Sequence, residues 1–155
     1  MSRRKRINRP AWDPAAVADR LHSAAIRLLR RVRKQDAASG EGPARLSALS
    51  VLVFGGPMTM GKLAAAEQVK PPTMSRIVTG LERRRLAERM PDSQDGRQVR
   101  IRATPRGMRL LQKGRRRRIE YLARHLNKLT TQEMTTLVEA ADVLEEILRD
   151  WPADE

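Results

Sequence analysis

Apolar residues recur at intervals of three and four over most of this chain, the spacing of one face of an α-helix. Val17, Leu21, Ala24, Leu28 and Val32 form the first such stripe. Asp13-Pro14 opens it with a capping carboxylate and a proline at the first helical position, which predicts a helix over about residues 14–35. Residues 39–43 read as a loop by composition. Ser47 reads as the cap of a short second helix through Leu49, Leu52 and Val53, stopped by Gly55-Gly56-Pro57. Thr59 caps a third, with Leu63, Ala64 and Val69 on its inner side. Proline lacks the amide donor and clashes with the preceding turn, so that helix ends before Pro71, and Pro72 reads as opening a fourth. There Met74, Ile77, Val78 and Leu81 share one face, while Pro72, Arg76, Thr79 and Arg83 lie opposite. Thr73 and Ser75 flank that outer face.

The period then shifts from helical to alternating. Residues 86–90 and 99–104 read as short strands, and Asp95-Gly96 between them marks a hairpin turn. Thr104-Pro105 is another cap followed by proline and starts a fifth helix carrying Met108, Leu111, Ile119, Leu122, Leu126 and Leu129. Its middle, residues 113–118, holds five basic side chains in six positions. That run suits DNA, the acidic last helix or a cleft wall, and the sequence leaves the three open. Thr130 and Glu133 form a capping box for a sixth helix with Met134, Leu137, Val138, Ala141, Leu144, Leu148 and Trp151. Helix, helix, helix–turn–helix, hairpin and two long helices is the order of a winged helix-turn-helix between helical arms. The expected fold is mainly α with a small β-hairpin wing. The apolar stripes of the arms exceed what one small winged domain covers. Val17, Leu21, Leu137, Leu144, Leu148 and Trp151 are therefore assigned to a homodimer interface. The expected organisation is a disordered basic arm (1–11), a helical dimerisation domain (12–36 and 105–155) and a DNA-binding winged domain (43–104).

Charge sharpens this picture. The 155 residues carry 32 Lys+Arg and 18 Asp+Glu, a formal net charge of +14. The acidic groups gather at the end: residues 130–155 hold eight carboxylates and one arginine, whereas 105–129 hold nine basic side chains and one carboxylate. The last segment is expected to pack with the basic first and fifth segments, each partly neutralising the other, leaving the basic middle for phosphates. The fourth helix then presents Thr, Ser and Arg to a major groove, with Arg76 suited to bidentate pairing with guanine. The competing role for Arg76 is a bridge to Glu82. Arg97, Arg100 and Arg102 extend the basic surface along the hairpin, whose tip can reach a minor groove. A bridge from Asp95 to Arg97 would stiffen the turn.

Several classes fall away. The chain has no cysteine, which removes disulfides, thiol catalysis and Cys-ligated zinc, and His22 and His125 do not make a multi-histidine site. Aromatics at 3% argue against base-stacking platforms for single strands. No apolar run approaches the ~18 residues of a membrane span, and no signal core follows the basic N-terminus, so a cytoplasmic location without a membrane partner is expected. The methionines at 58, 60, 74, 108 and 134 read as core filler. No nucleophile–base set, phosphate loop or metal cluster supports an enzyme, and no cofactor is expected.

Leu46-Ser47 to Leu52, Thr59 with Leu63-Ala64, and Met74-Ser75-Arg76 with Leu81-Glu82 come in an order that resembles the multiple-antibiotic-resistance regulator (MarR) family. The resemblance continues through residues 86–89, Asp95-Gly96-Arg97 and residues 103–107 to Leu129-Thr130 and Glu133, and covers about residues 14–150. It implies a homodimeric repressor on a palindromic operator in double-stranded DNA. It also implies a small effector, often an anionic phenolic compound, bound between the dimer domain and the winged domain. The DNA-binding residues it supports are Pro72, Thr73, Ser75, Arg76, Thr79, Arg83, Asp95, Arg97 and Arg100. Three positions depart from the family pattern: Arg85 stands where glycine is usual, Gly96 replaces the middle arginine of the wing, and Ala103 replaces a leucine. The alternative function is a sequence-nonspecific architectural protein of the nucleoid, for which the arm and the net charge suffice.

Overall fold

A computed structural model of the chain describes residues 13–92 and 98–151. The expectations for the basic arm and for Asp95, Gly96 and Arg97 lie outside these residues.

The Asp13 carboxylate accepts from the Ala15 amide at 3.1 Å and starts α1 (Pro14–Arg33). The helix tightens into a 3₁₀ segment, Lys34–Ser39, closed by Gly40 in the left-handed region at φ 71°. Helix α2 (Pro43–Gly55) begins earlier than Ser47 because Pro43 is already set for the first helical position. Ser47 lies inside it and donates to the Glu67 carboxylate at 2.9 Å. Strand β1 (Met58–Thr59) leads to α3 (Met60–Ala66), capped by Thr59 as expected. Helix α4 (Pro71–Arg83) opens at Pro71, not Pro72, and the Lys70 carbonyl accepts the amides of Thr73 and Met74. Strands β2 (Ala87–Pro91) and β3 (Val99–Ala103) form the expected hairpin. Helices α5 (Pro105–Leu126) and α6 (Thr131–Asp150) follow. The capping box at α6 is complete, and hydrogen bonds from the Thr130 backbone and hydroxyl hold the Glu133 carboxyl below the usual range.

The sheet has one strand more than the sequence suggested. Its order is β1-β3-β2, all antiparallel, with Met58 opposite Ile101 and Ala87 opposite Ala103. Its inner side meets α2, α3 and α4 around Leu49, Leu52, Leu63, Met74, Val78, Leu81, Leu86 and Ile101. A fully buried side chain of this size contributes about 1.5–3 kcal/mol relative to exposure, so stability is concentrated here. From α5, the side chains of Leu110 and Leu111 pack against this cluster. Met74 is buried and Met58 and Met60 lean on the core, but Met108 is exposed, contrary to expectation.

The arms carry none of this core. Neither α1 nor α6 has a buried residue, and Val17, Leu21, Leu137, Leu148 and Trp151 are all exposed by 45% or more, with Leu144 half-buried. Nor, among the described residues, does the acidic end neutralise the basic helices within the chain. Among the described residues no α6 carboxylate is in an ion pair, because α6 runs free of close packing against α1 or α5. The basic run of α5 is met elsewhere: Arg118 pairs with Asp36 of the 3₁₀ segment at 2.5 Å.

Arg85 follows α4 with φ 58°, in the left-handed region where glycine is at ease and a side chain is strained. The Leu86 amide returns to the Leu81 carbonyl at 2.9 Å, so the turn must close this way. Arg85→Gly is expected to raise stability by about 0.5–1 kcal/mol, the local strain relieved less the extra freedom of the unfolded chain. Urea denaturation of the two proteins checks this, and an unchanged or lowered midpoint would count against strain at this turn.

Candidate nucleic-acid interface

The helix–turn–helix is α3, the turn around Gln68, and α4. Gln68 also has positive φ, 53°, and the Val69 amide bonds the Ala64 carbonyl at 3.0 Å, which fixes the angle between the helices. On α4, Met74, Val78 and Leu81 are buried in the core. That grip leaves the opposite face in solvent: Pro72, Thr73, Arg76 and Arg83 are exposed, and Ser75 and Thr79 half-buried. The sequence periodicity placed these six residues on the outer side or its flanks, and the structure brings them together there.

Their chemical freedom differs. Among the described residues Arg76 makes no hydrogen bond or ion pair, and Glu82, its expected competitor, faces Arg89 at 3.5 Å instead. A guanidinium with all its donors available at the middle of such a face can bond both acceptors of a guanine edge. Thr79 has already donated its hydroxyl to the Ser75 carbonyl at 2.9 Å, so toward DNA it retains acceptor capacity. Lys70, which sequence reasoning did not single out, stands exposed as the residue before α4. Its signal was a cation adjoining the Pro-Pro pair.

The base of the wing is braced by charge. Arg100, one of the residues assigned to DNA, is in an ion pair with the buried Asp92 carboxylate. Arg102 pairs across the hairpin with Glu88 at 2.6 Å. Both arginines thus stiffen the strands, and Arg100 is not the free cation that its place in the sequence suggested. The Asp92 amide donates to the Gln98 carbonyl at 2.8 Å, carrying the ladder one step past the strands.

A second feature joins the arms to the recognition helix. A cleft of about 910 Å³ opens between α1, the 3₁₀ segment, α2 and α5, lined by Leu29, Val32, Asp36, Glu41, Leu111 and Arg118 among others. Glu41 is buried and receives Arg45 at 2.5 Å and Arg84 at 3.0 Å. Arg84 also donates to the Gly40 carbonyl at 2.9 Å. The C-terminal end of α4 is therefore tied to the loop that leaves α1. These partners are 43 and 82 residues apart for Glu41–Arg84 and Asp36–Arg118, and no local pattern announces them.

Similarity to known proteins agrees with this geometry. The MarR family model matches residues 43–99. HTH-type transcriptional regulators of Mycobacterium leprae and Mycobacterium tuberculosis are each 36% identical over 138 residues, covering 89% of this chain and 96% of the relative. The transcriptional regulator Tm0710 of Thermotoga maritima superposes with a TM-score of 0.79 at 21% identity, over 87% of this chain and 95% of that one. A variant of MepR from S. aureus, solved bound to an oligodeoxyribonucleotide, gives 0.66 at 20% identity over 88% and 99%.

Proposed function

Since this chain belongs to the MarR family of DNA-binding transcriptional regulators, whose members are not enzymes, we propose that it is a homodimeric, sequence-specific repressor responsive to a small ligand. The observation that carries this reading is the outward face of α4, with Arg76 unengaged while the inner face is locked into the core. Thr73, Ser75 and Arg76 read base edges, and Pro72, Thr79 and Arg83 shape the approach to the phosphates. The wing of β2 and β3 enters the adjacent minor groove, a contact to which the sequence assigns Asp95 and Arg97. The winged domain spans 43–104, and the arms 12–36 and 105–155 form the dimer.

The uncovered stripes of α1 and α6 support a dimer through Val17, Leu21, Leu137, Leu144, Leu148 and Trp151. Two recognition helices must then meet successive major grooves about 34 Å apart, which calls for a palindromic operator. The cleft beside Asp36 and Arg118 is the proposed seat of the effector, a small anionic aromatic compound resting on Leu29, Val32 and Leu111. No described helix is long and apolar enough to cross a membrane, and we place the regulator with the DNA of the cytoplasm.

Footprinting on DNA flanking its own gene, with and without an anionic phenolic compound, tests the reading. A protected palindrome is expected, and uniform coverage of any duplex would favour an architectural protein. Arg76→Ala is expected to lose about 1–3 kcal/mol of discrimination at one base pair in each half-site. Equal losses on operator and scrambled DNA would remove Arg76 from base reading.

A further inference from the structure

The basic run at residues 113–118 divides between two sides of α5. Gly114 and Arg118 face the 3₁₀ segment, where Arg118 pairs with Asp36. Lys113 and Arg116 lie on another side. At 100° per residue they share a strip with Arg106, Arg109 and Arg124, all within about 60° of Lys113. These five cations are exposed, and among the described residues none is in an ion pair. Arg124 lies over the Tyr121 ring at 5.9 Å, a contact that leaves its charge in place. Arg117, half-buried at the margin of the strip, leans toward Gly114. Glu120 is the one carboxylate of α5 and falls on the strip, against five exposed cations.

The strip is turned away from the apolar side of α5. Met108, Leu111, Ile119 and Leu122 lie about 120° or more from Lys113. A second copy laid over Met108 and Ile119, both exposed, therefore leaves the cations in water. Leu110, at the other margin, turns into the core. A protein partner would find no apolar side chain to bury between the cations. A phosphate backbone asks only for positive charge at close intervals. From Arg106 to Arg124 the strip runs about 27 Å, roughly eight phosphate steps of about 3.4 Å along one strand of a duplex.

A duplex seated on α4 does not follow this strip. Helix α5 starts past the C-terminal end of α4, where Gly107 lies against the Leu86 carbonyl, and packs from there chiefly on the 3₁₀ segment and α2. Thr73, Ser75 and Arg76 are toward the other end of α4. Resting on the reading that α4 holds an operator, we propose that the α5 strip binds the phosphate backbone of a second duplex, so that one regulator joins two segments of DNA. The second grip chooses no sequence, because contacts to phosphates carry no base information. It draws on counterion release and weakens steeply with salt.

Capture of one duplex by another tests this with the full-length chain. A duplex carrying the palindrome protected in footprinting is tethered to beads, and protein is added to fill half of its sites, so that no α4 face is left over. A labelled duplex of scrambled sequence follows at low salt. The unaltered protein should retain it. A variant combining Arg109→Gln, Lys113→Gln and Arg116→Gln should retain it about tenfold less or weaker still, with a salt slope shallower by about 2–3, since three phosphate contacts are lost at about 0.9 each. Its operator affinity and melting midpoint should not change, because the three side chains are exposed and lie outside the core. Three charges removed elsewhere, by Arg30→Gln, Arg31→Gln and Lys34→Gln, should leave capture as it was. No capture by the unaltered protein, equal capture by the strip variant, or equal losses in both variants would overturn the second grip. So would operator affinity that falls with the strip variant, which assigns the strip to operator DNA. Large assemblies of DNA-free protein that the strip variant dissolves would also overturn it, giving the strip to the acidic side of α6 in another copy. If the tethered palindrome holds no protein at all, the reading of α4 itself falls, a separate result.

Discussion

Deleting residues 131–155 is expected to leave a folded, monomeric protein that no longer holds its operator. The core runs from Ala48 to Ile101 and draws nothing from α6, so the winged part should keep its cooperative melt. What is lost is a helix whose Leu137, Val138, Val143, Ile147, Leu148 and Trp151 all stand exposed. A single winged domain meets one half-site. Losing the second binding event removes an avidity gain of about 10²–10⁴. Sedimentation equilibrium and operator titration of the truncated chain measure the two effects together. A truncated chain that still sediments as a dimer would assign the interface to α1 and α5 alone.

The second large effect is at Gly107. It lies in the first turns of α5, buried against the end of the recognition helix. A Cβ built there would stand 2.2 Å from the Leu86 carbonyl oxygen and 3.0 Å from Leu49 Cδ1. That oxygen cannot move aside, because it accepts the Thr104 amide at 3.0 Å while the Thr104 hydroxyl holds the Arg85 carbonyl at 2.7 Å. Alanine is otherwise favoured over glycine in a helix by about 1 kcal/mol. Overpacking against fixed backbone outweighs that gain, and Gly107→Ala should destabilise by about 1–2 kcal/mol net. Gly61→Ala is the matched control, since a Cβ there meets nothing within 4 Å. Urea midpoints of the two variants should move in opposite directions, and a neutral Gly107→Ala would mean that α5 can slide away from Leu86.

The parts of this fold that are local in sequence were legible there. Asp13-Pro14, Thr59, Thr104-Pro105 and the Thr130–Glu133 box each cap the helix they were expected to cap, because a cap is decided by a few neighbouring residues. The outer face of α4 was legible for a similar reason, since its period follows from one buried side. Ser47 misled because hydroxyl preference for caps competes with proline at the first position, and Pro43 prevailed. Strand β1 was missed because two residues carry no alternation, and their pairing with Ile101 and Arg100 is remote. Arg100 looked available because Asp92 is joined to it only once the hairpin closes. The balance of charge between helices was misjudged for lack of a distance: opposite signs in one chain do not imply contact in one copy.

The tie between Arg84 and the loop at Gly40 and Glu41 makes α4 a lever with a fixed end. Eleven residues at about 1.5 Å each put Thr73 about 16–17 Å from that pivot. A tilt of about 5° there would sweep the base-reading end through roughly 1.5 Å, several times the width of the hydrogen-bond distance range. The buried carboxylate at the pivot is also part of the cleft wall. If α4 reads bases as proposed, its fidelity should depend on the angular stiffness of this short loop, which lies at the far end of the helix from them.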